Sequence, residues 1–330
     1  MKARPAAKTN ARAVIAAAQH ADRPALAKLV RAGADLNASY RNYRPLHALL
    51  QEDPHAAAGK PAPDRLACLE WLLANGADPE LPGAWPSARA IIIAAFVGSP
   101  DYVRVLRKGG ARIDGFAAAA LGDRKLVEKA LAGAPEFAHA RDLGGGLTAL
   151  QCAAGSRMPK ADLIGIARLL LDAGAEVAAR TKSWAHEVDA IYFAAGRKDL
   201  PMFNLLLDRG ADATEALSSA VWSAAYDLAE SALAHGAVID RAVANKKPLL
   251  NDMICWGQIP QAMWLLERGA SPNVPDEARG WTAVHQAASR GNARLVRAVL
   301  DAGGEARRKD KQGNQPRDLA RAEKIAALLT

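Results

Sequence analysis

The chain has 330 residues, of which 50% are hydrophobic and only 5% aromatic, so it can bury a large core built mainly from small aliphatic side chains. No apolar run approaches the roughly 18 residues that a membrane span needs, and the apolar stretch near the N-terminus is too short for a secretory signal. The three cysteines are far apart and form neither a disulfide framework nor a zinc pattern. We therefore expect no membrane association and a reducing, cytoplasmic location.

Charge is spread unevenly along the chain, whose net charge is +8. Residues 1–44 carry nine Lys or Arg against two Asp, and residues 290–330 carry ten Lys or Arg against five acids, so the body between them is mildly acidic. Basic ends are typical of solvated, solubilising segments, which is our first interpretation. A nucleic-acid-associated protein that uses its basic termini is the alternative.

In chain order, the strongest pattern is a Leu-rich segment that ends in Gly-Ala followed by an acidic or polar residue. Four copies end in Gly-Ala followed by an acidic residue and five are weaker, and together the nine recur with a mean period of about 34 residues, close to the period of a helical repeat. Single copies are degenerate, but nine in register are strong evidence for an internal repeat. Their glycines are Gly33, Gly76, Gly110, Gly133, Gly174, Gly210, Gly236, Gly269 and Gly303.

Residues 279–310 show how one repeat is built. Thr282 is a plausible N-cap for a short first helix, because its hydroxyl can accept a backbone N–H that lacks an intrahelical partner. The apolar spacing of the segment LVRAVL predicts a second helix, which Gly303 ends as a left-handed cap. One such pair cannot bury its apolar face alone, whereas a stack of pairs forms a continuous core.

These motifs resemble the ankyrin repeat over nearly the whole chain. The family phrase T-P-L-H-x-A-A, followed by a second helix and Gly-Ala-Asp, is best kept at residues 282–303 and, in part, at residues 44–47. Gln151, Tyr192 and Ile92 replace its histidine in other repeats. The resemblance implies an all-α, right-handed and elongated solenoid of nine to ten stacked helix pairs with short β-hairpin fingers.

Departures from the repeat predict the domain organisation. We expect a basic, flexible tail at residues 1–9 and a single repeat domain over residues 10–330. Spacings shorter than the period predict finger-poor repeats near residues 111–142 and 211–242. The closing segment at residues 311–330 resembles a family C-terminal cap.

The histidines of the motif are predicted to be structural. In the family this histidine hydrogen-bonds to the helix-start threonine and to the backbone of a neighbouring loop. Thr282 and His285 stand three residues apart, which suits that contact, and His47 occupies the same place in an earlier repeat. We therefore expect these histidines to stabilise the repeat through hydrogen bonds rather than to act as catalytic bases or metal ligands.

Each sequence motif that could indicate catalysis lacks an essential residue. The sequence His186-Glu-Val-Asp-Ala190 lacks the second histidine of a zinc-protease motif, and Gly144-Gly145-Gly146 lacks the lysine of a phosphate-binding loop. An enzyme that uses the Pro- and Gly-rich loop at residues 52–64, or an unrecognised site elsewhere, is the third alternative. We expect no enzymatic activity, no cofactor and no metal.

Aromatic and arginine side chains on predicted fingers and on the ends of first helices are candidate binding residues, because such side chains dominate protein interfaces. The resemblance places this surface on the concave face and the finger tips. By contrast, Trp71 and Trp264 lie inside second helices and are expected to pack between repeats. The candidate binding residues are Tyr40, Arg41, Tyr43, Trp85, Trp184, Trp222, Trp256, Arg279 and Trp281.

Together these features predict a non-enzymatic scaffold that binds an unidentified partner protein and is itself a monomer. The Ala- and Arg-rich composition is typical of a high-GC bacterium. A bacterial regulator, a toxin-neutralising protein and an effector secreted into a host cell are therefore all consistent with the sequence.

Overall fold

The computed structural model describes residues 5–51, 61–84, 86–143, 146–183, 187–242 and 247–330, with only the backbone for residues 5–9. Two predicted binding residues, Trp85 and Trp184, lie outside the described residues. So do Gly144, Gly145 and His186 and most of the loop predicted at residues 52–64.

The chain divides into two compact units, residues 1–197 and 198–330. The first unit is a series of short helices with one two-stranded antiparallel hairpin, β1 (Thr181–Lys182) and β2 (Glu187–Val188). Its helices are α1 (Pro5–Gln19), α2 (Arg23–Arg31), α3 (Pro45–Gln51), α4 (Pro63–Ala74), α5 (Ala90–Val97), α6 (Pro100–Lys108), α7 (Gly115–Leu121), α8 (Arg124–Gly133), α9 (Ala149–Gly155), α10 (Leu163–Asp172) and α11 (Ala190–Arg197), with a 3-10 turn at Pro135–Ala138.

The second unit repeats the same plan over a shorter length. It ends in a group of very short helices, in the segment for which a C-terminal cap was predicted. Its helices are α12 (Leu200–Asp208), α13 (Ala213–Trp222), α14 (Tyr226–Ala234), α15 (Leu249–Trp256), α16 (Ile259–Glu267), α17 (Ala283–Arg290), α18 (Ala293–Asp301) and α19 (Glu323–Ala326), with 3-10 turns at Pro316–Leu319 and Ala327–Leu329.

Helices pack in two layers within each unit. In the first unit α3 lies between α1 and α5, and α7 lies between α5 and α9, while α6 packs on α4 and α8 packs on α10. In the second unit α17 packs on α15, α14 on α12 and α18 on α16. The prediction of an all-α stack of helix pairs is confirmed.

Small residues allow this close stacking. Four consecutive alanines of α7, from Ala117 to Ala120, are buried, as are Ala94 and Ala95 of α5. Alanine has the highest helix propensity, and its short side chain lets neighbouring helices approach. The core therefore consists of Ala layers with Leu, Ile and Val between them, as the composition predicts.

Caps and glycines set the limits of the helices. Asp114 accepts hydrogen bonds from the first backbone N–H groups of α7, and Asp212 does so for α13. Both caps follow almost directly on the preceding glycine, where finger-poor repeats were predicted. Gly303, with φ +89°, adopts the left-handed conformation predicted for the end of α18.

The first finger is a two-residue turn. Tyr40 and Tyr43 exchange backbone hydrogen bonds of 3.0 and 3.1 Å, and Arg41 and Asn42 between them both have positive φ, as in a type I′ turn. The Ala84 N–H donates to the Asn42 carbonyl at 2.8 Å, so the tips of successive fingers are joined.

The N-terminal boundary differs from the predicted one. Helix α1 begins at Pro5, inside the segment that was expected to be a flexible tail up to residue 9. The segment after Pro5 is rich in alanine, and proline is tolerated in the first turn of a helix, so the helix extends further toward the N-terminus than the repeat pattern indicated.

Candidate functional site

The motif histidine of the last regular repeat is a hydrogen-bonded cap. Nδ1 of His285 lies 3.2 Å from the backbone N of Thr282 and 2.8 Å from its Oγ1, and Nε2 lies 3.3 Å from the Asn314 carbonyl oxygen. A backbone N–H can only donate, so Nδ1 accepts and the ring proton sits on Nε2. Burial lowers the pKa of His285, which keeps this ring neutral. The ring joins a helix start to the following finger.

Other polar residues at the same place make the equivalent contact. The Gln151 side chain accepts the Thr148 N–H at 2.9 Å and donates to the Ala179 carbonyl at 2.8 Å. The Asn251 side chain donates to the Trp281 carbonyl at 2.9 Å. Three chemically different side chains therefore bond the next finger from one position of the repeat, as a structural joint requires.

His47 makes only half of this contact. Its Nε2 lies 2.8 Å from the Ala88 carbonyl oxygen, but its buried Nδ1 has no hydrogen-bond partner among the described residues. Arg44 stands where the later repeat has Thr282, so no hydroxyl is available at the helix start. Burial lowers the pKa of His47 to about 4, against the opposing effect of the Ala88 hydrogen bond.

In the repeat that starts with α5, an unpredicted charge cluster replaces the hydrogen bonds that His285 and Gln151 make to the next finger. Arg89 is fully buried at the N-cap of this helix, where the family has threonine. Its Nη2 lies 2.7 Å from both carboxylate oxygens of Asp114, its Nε lies 3.0 Å from Asp142, and its Nη1 lies 3.4 Å from Glu80. One guanidinium thus connects carboxylates from three successive segments of the first unit, in what we call the Arg89 cluster.

The electrostatics of the Arg89 cluster favour its charged form. Burial alone would lower the pKa of Arg89, but the Asp114 hydrogen bond and the charge of Asp142 raise it above the ordinary value. Burial also opposes ionisation of Glu80, but hydrogen bonds from the Arg112 backbone and side chain, together with Arg89, lower the pKa of its carboxyl. The feature of the sequence that could have indicated this cluster is Arg89 itself, which replaces the threonine of the repeat motif.

The two predicted finger tyrosines of the first unit, Tyr40 and Tyr43, are half-buried, whereas Arg41 between them is exposed. Tyr40 and Tyr43 occupy the two ends of the finger turn, and the Arg41 guanidinium lies 5.5 Å from the centre of the Tyr40 ring. These three side chains are brought together on one finger. Part of each ring is therefore used in the finger itself.

The predicted pair Arg279 and Trp281 also shares a finger. The Arg279 guanidinium lies 4.7 Å from the Trp281 ring centre, and the indole N–H donates to the Asp310 carboxylate at 3.0 Å. Trp281 is half-buried and Arg279 is exposed. The indole hydrogen bond ties this finger to the next one, so the ring contributes to the fold.

Trp222 and Trp256 form an exposed aromatic surface in the second unit. They are the last residues of α13 and α15, and the two residues are 39% and 66% exposed. The ring centres lie 6.3 Å apart with the planes at 69°, an edge-to-face arrangement. We call these two residues the tryptophan pair.

Neighbouring helices frame the tryptophan pair. The Arg290 guanidinium, at the end of α17, donates to the Cys255 carbonyl oxygen next to Trp256. The backbone that carries Trp256 is thereby fixed from the following repeat. Trp264, by contrast, is buried in α16 and stacks on Tyr226 at 5.5 Å, as predicted for a residue that packs between repeats.

Two features of the described residues bear on other kinds of site. In the part of the chain that the structure describes, no group of three or more His, Cys, Asp and Glu side chains could hold a metal ion. No described helix has the length and the apolar composition to cross a bilayer.

Comparison with known families supports the repeat assignment. A family model described as "Ankyrin repeat" matches residues 145–182, and one described as "Ankyrin repeats (many copies)" matches residues 265–320. The first match contains Thr148 and Gln151, and the second contains Thr282 and His285. No curated protein matches the chain.

Proposed function

Because the chain is an ankyrin-repeat protein, we propose that it is a non-enzymatic scaffold that binds a folded or extended partner protein with the tryptophan pair at the centre of the contact. The observation that carries this proposal is the exposure of Trp222 and Trp256, at 39% and 66%, on the ends of two neighbouring first helices. In the family these helix ends belong to the concave binding face.

The energetics of the tryptophan pair support a binding role. An exposed indole contributes little to the stability of the folded protein, whereas a buried tryptophan at an interface is typically worth 2 kcal/mol or more. Arg290 holds the chain beside Trp256, so the surface is preorganised, which reduces the entropy lost on binding. Burial of the pair by a partner would therefore add to the free energy of binding.

The fingers are the outer part of the proposed contact surface. Arg41 and Arg279 are exposed beside Tyr40 and Trp281, and arginine next to an aromatic ring is common at interfaces. Trp85 and Trp184 are assigned to the same surface on sequence grounds alone. We place the protein among bacterial regulators, toxin-neutralising proteins or effectors, acting as a monomer in the cytoplasm or after secretion.

Comparative capture tests this proposal. Immobilised wild-type protein, the double variant Trp222→Ala/Trp256→Ala and the control Val238→Ala are exposed to the same lysate, and bound proteins are identified by mass spectrometry. Val238 is a 55% exposed apolar residue of the same unit. We expect a partner that the wild type and the control retain and the double variant loses. Equal retention by all three proteins would refute the role of the tryptophan pair.

The basic C-terminal surface supports the alternative, an association with nucleic acid. Arg294 and Arg297 of α18 are exposed, and neither has a salt-bridge partner among the described residues. This function predicts binding to random duplex DNA that falls steeply with salt concentration. The nucleic-acid function would be favoured over the scaffold by two results together. The variant Arg294→Glu/Arg297→Glu would lose DNA binding, and wild type, Trp222→Ala/Trp256→Ala and Val238→Ala would retain the same proteins in the capture experiment.

A further inference from the structure

A cleft of about 550 Å³ opens between α6 and α8 in the first unit. Its volume lies in the range of ligand-binding pockets. The cleft is lined by the second helices α6 and α8 together with the end of α7 and nearby loop residues, whereas the tryptophan pair lies on first helices of the other unit. It therefore represents a separate surface.

The floor of the cleft is apolar. Five hydrophobic side chains line it, and four of them are only partly buried, so the cleft exposes apolar area that the core does not use. Gly122, which has φ +82°, packs against Ala161 and keeps the loop between α7 and α8 close to the next repeat. The five apolar residues are Val103, Ile113, Leu121, Leu126 and Met158.

The rim of the cleft is cationic. Arg107, Arg124 and Lys125 line it, against one carboxylate, Asp123. The Asp123 carboxylate already accepts the Leu126 backbone N–H as the N-cap of α8, at 3.2 Å. Its charge is therefore partly neutralised by the helix start.

Two of the three rim cations form no ion pair within the described part of the chain. Arg124 forms ion pairs with Glu128 at 2.8 Å and Asp162 at 3.7 Å. Arg107 and Lys125 are exposed, and neither has a carboxylate within salt-bridge distance among the described residues. Two unpaired cations beside an apolar floor are complementary to an acidic ligand that also presents apolar side chains.

We propose that this cleft binds an acidic, amphipathic peptide segment of a partner protein, with an apolar side chain on the Leu121–Leu126 floor and carboxylates at Arg107 and Lys125. This contact is independent of the tryptophan pair, and it gives the protein a second surface for a partner.

Fluorescence polarisation with designed peptides tests this proposal. The probe is a labelled 12-residue peptide that places Leu and Phe at helical spacing among Asp and Glu. A second peptide carries Asn and Gln in place of the acids. We expect the acidic peptide to bind and the neutral peptide to bind about tenfold more weakly, with an affinity for the acidic peptide that falls as salt is raised.

Charge reversal locates the contact. Arg107→Glu/Lys125→Glu is compared with Lys108→Glu/Lys129→Glu, which reverses two exposed lysines on the same two helices outside the cleft lining. We expect about a tenfold loss of affinity for the rim variant and less than about a twofold loss for the control, because each surface ion pair contributes modestly.

Several outcomes would overturn the proposal. Equal losses in the two variants would show non-specific attraction, and equal binding of the acidic and neutral peptides would remove the role of the rim. Failure of the acidic peptide to bind would remove the site itself. A loss in Trp256→Ala, with the rim variant unchanged, would move the peptide to the tryptophan pair and leave the proposed function in place.

Discussion

The Arg89 cluster and the tryptophan pair are both departures from the repeat pattern, but they differ in what surrounds them. Arg89 is fully buried and its guanidinium meets carboxylates from three segments of the first unit. Trp222 and Trp256 are exposed and lie edge to face in the second unit. The charged groups of the Arg89 cluster have their partners within the fold, whereas the apolar surface of the tryptophan pair stays exposed.

This difference separates structural from functional departures. A buried charge with complete hydrogen bonding holds segments together and has no free group left for a ligand. An exposed pair of indoles gains its full burial energy only when another molecule covers it. We therefore expect substitutions at Arg89 to change stability alone and substitutions at the tryptophan pair to change binding alone.

Removal of Arg89 is the largest expected perturbation. Arg89→Ala leaves Asp142, whose side chain is 1% exposed, as a buried carboxylate without its cation. Loss of one partner of a buried ion pair typically costs about 3–5 kcal/mol. Urea unfolding should show this decrease in the free energy of unfolding. A decrease below about 1 kcal/mol would mean that the cluster is not a structural joint.

A rescue variant sharpens this test. Arg89→Met/Asp142→Asn removes the cation together with its most buried carboxylate, so no unpaired buried charge remains at that contact. We expect it to recover much of the stability that Arg89→Ala loses. Arg89→Lys should recover little, because an ammonium group cannot point donors at three carboxylates as a guanidinium does.

The repeat pattern predicted most of the fold and only part of these two regions. Glycine spacing and helical periodicity depend on the local backbone, so the helix pairs and the end of α18 at Gly303 could be predicted from the sequence. The Arg89 cluster depends on carboxylates 25 and 53 residues further along the chain, and one at Glu80, whose convergence follows only from stacking.

Candidate binding residues show the same limit. Sequence position placed Trp222 and Trp256 at the ends of first helices, but their mutual contact needs the neighbouring repeat. Trp281 was predicted from its finger position, and its hydrogen bond to Asp310 depends on the next finger. Exposure, which distinguishes these tryptophans, is a property of the stack rather than of the motif.

Acidification should weaken the first unit through His47. The folded state keeps this ring neutral down to a pKa of about 4, whereas the unfolded chain takes up a proton near pH 6.5. Stability is therefore full above pH 7 and falls as pH decreases between these values, by about 3 kcal/mol at pH 4.

His47→Gln provides the control for this pH dependence. A glutamine side chain can donate to the Ala88 carbonyl and cannot be protonated in this range. Urea unfolding at pH 7 and pH 5 should show a smaller loss of stability for the variant than for the wild type. Identical losses in both proteins would mean that His47 is accessible to protons in the folded state.

A smaller loss of stability than for Arg89 is expected at His285. His285→Ala removes the contacts to Thr282 and Asn314 and should cost about 1–2 kcal/mol. His285→Gln should cost less than about 1 kcal/mol, because Gln151 makes the equivalent contacts in its own repeat. Thermal melting of the two variants would check this order, and equal losses would argue against a shared hydrogen-bonding role.

The central claim is that the tryptophan pair binds a partner without supporting the fold. Its most direct test is the single variant Trp256→Ala, measured both by thermal melting and by calorimetric titration with the partner that the wild type captures. We predict about a 30-fold loss of affinity with a change in unfolding free energy near 0.5 kcal/mol. Unchanged affinity, or a loss of stability as large as that of Arg89→Ala, would contradict the account.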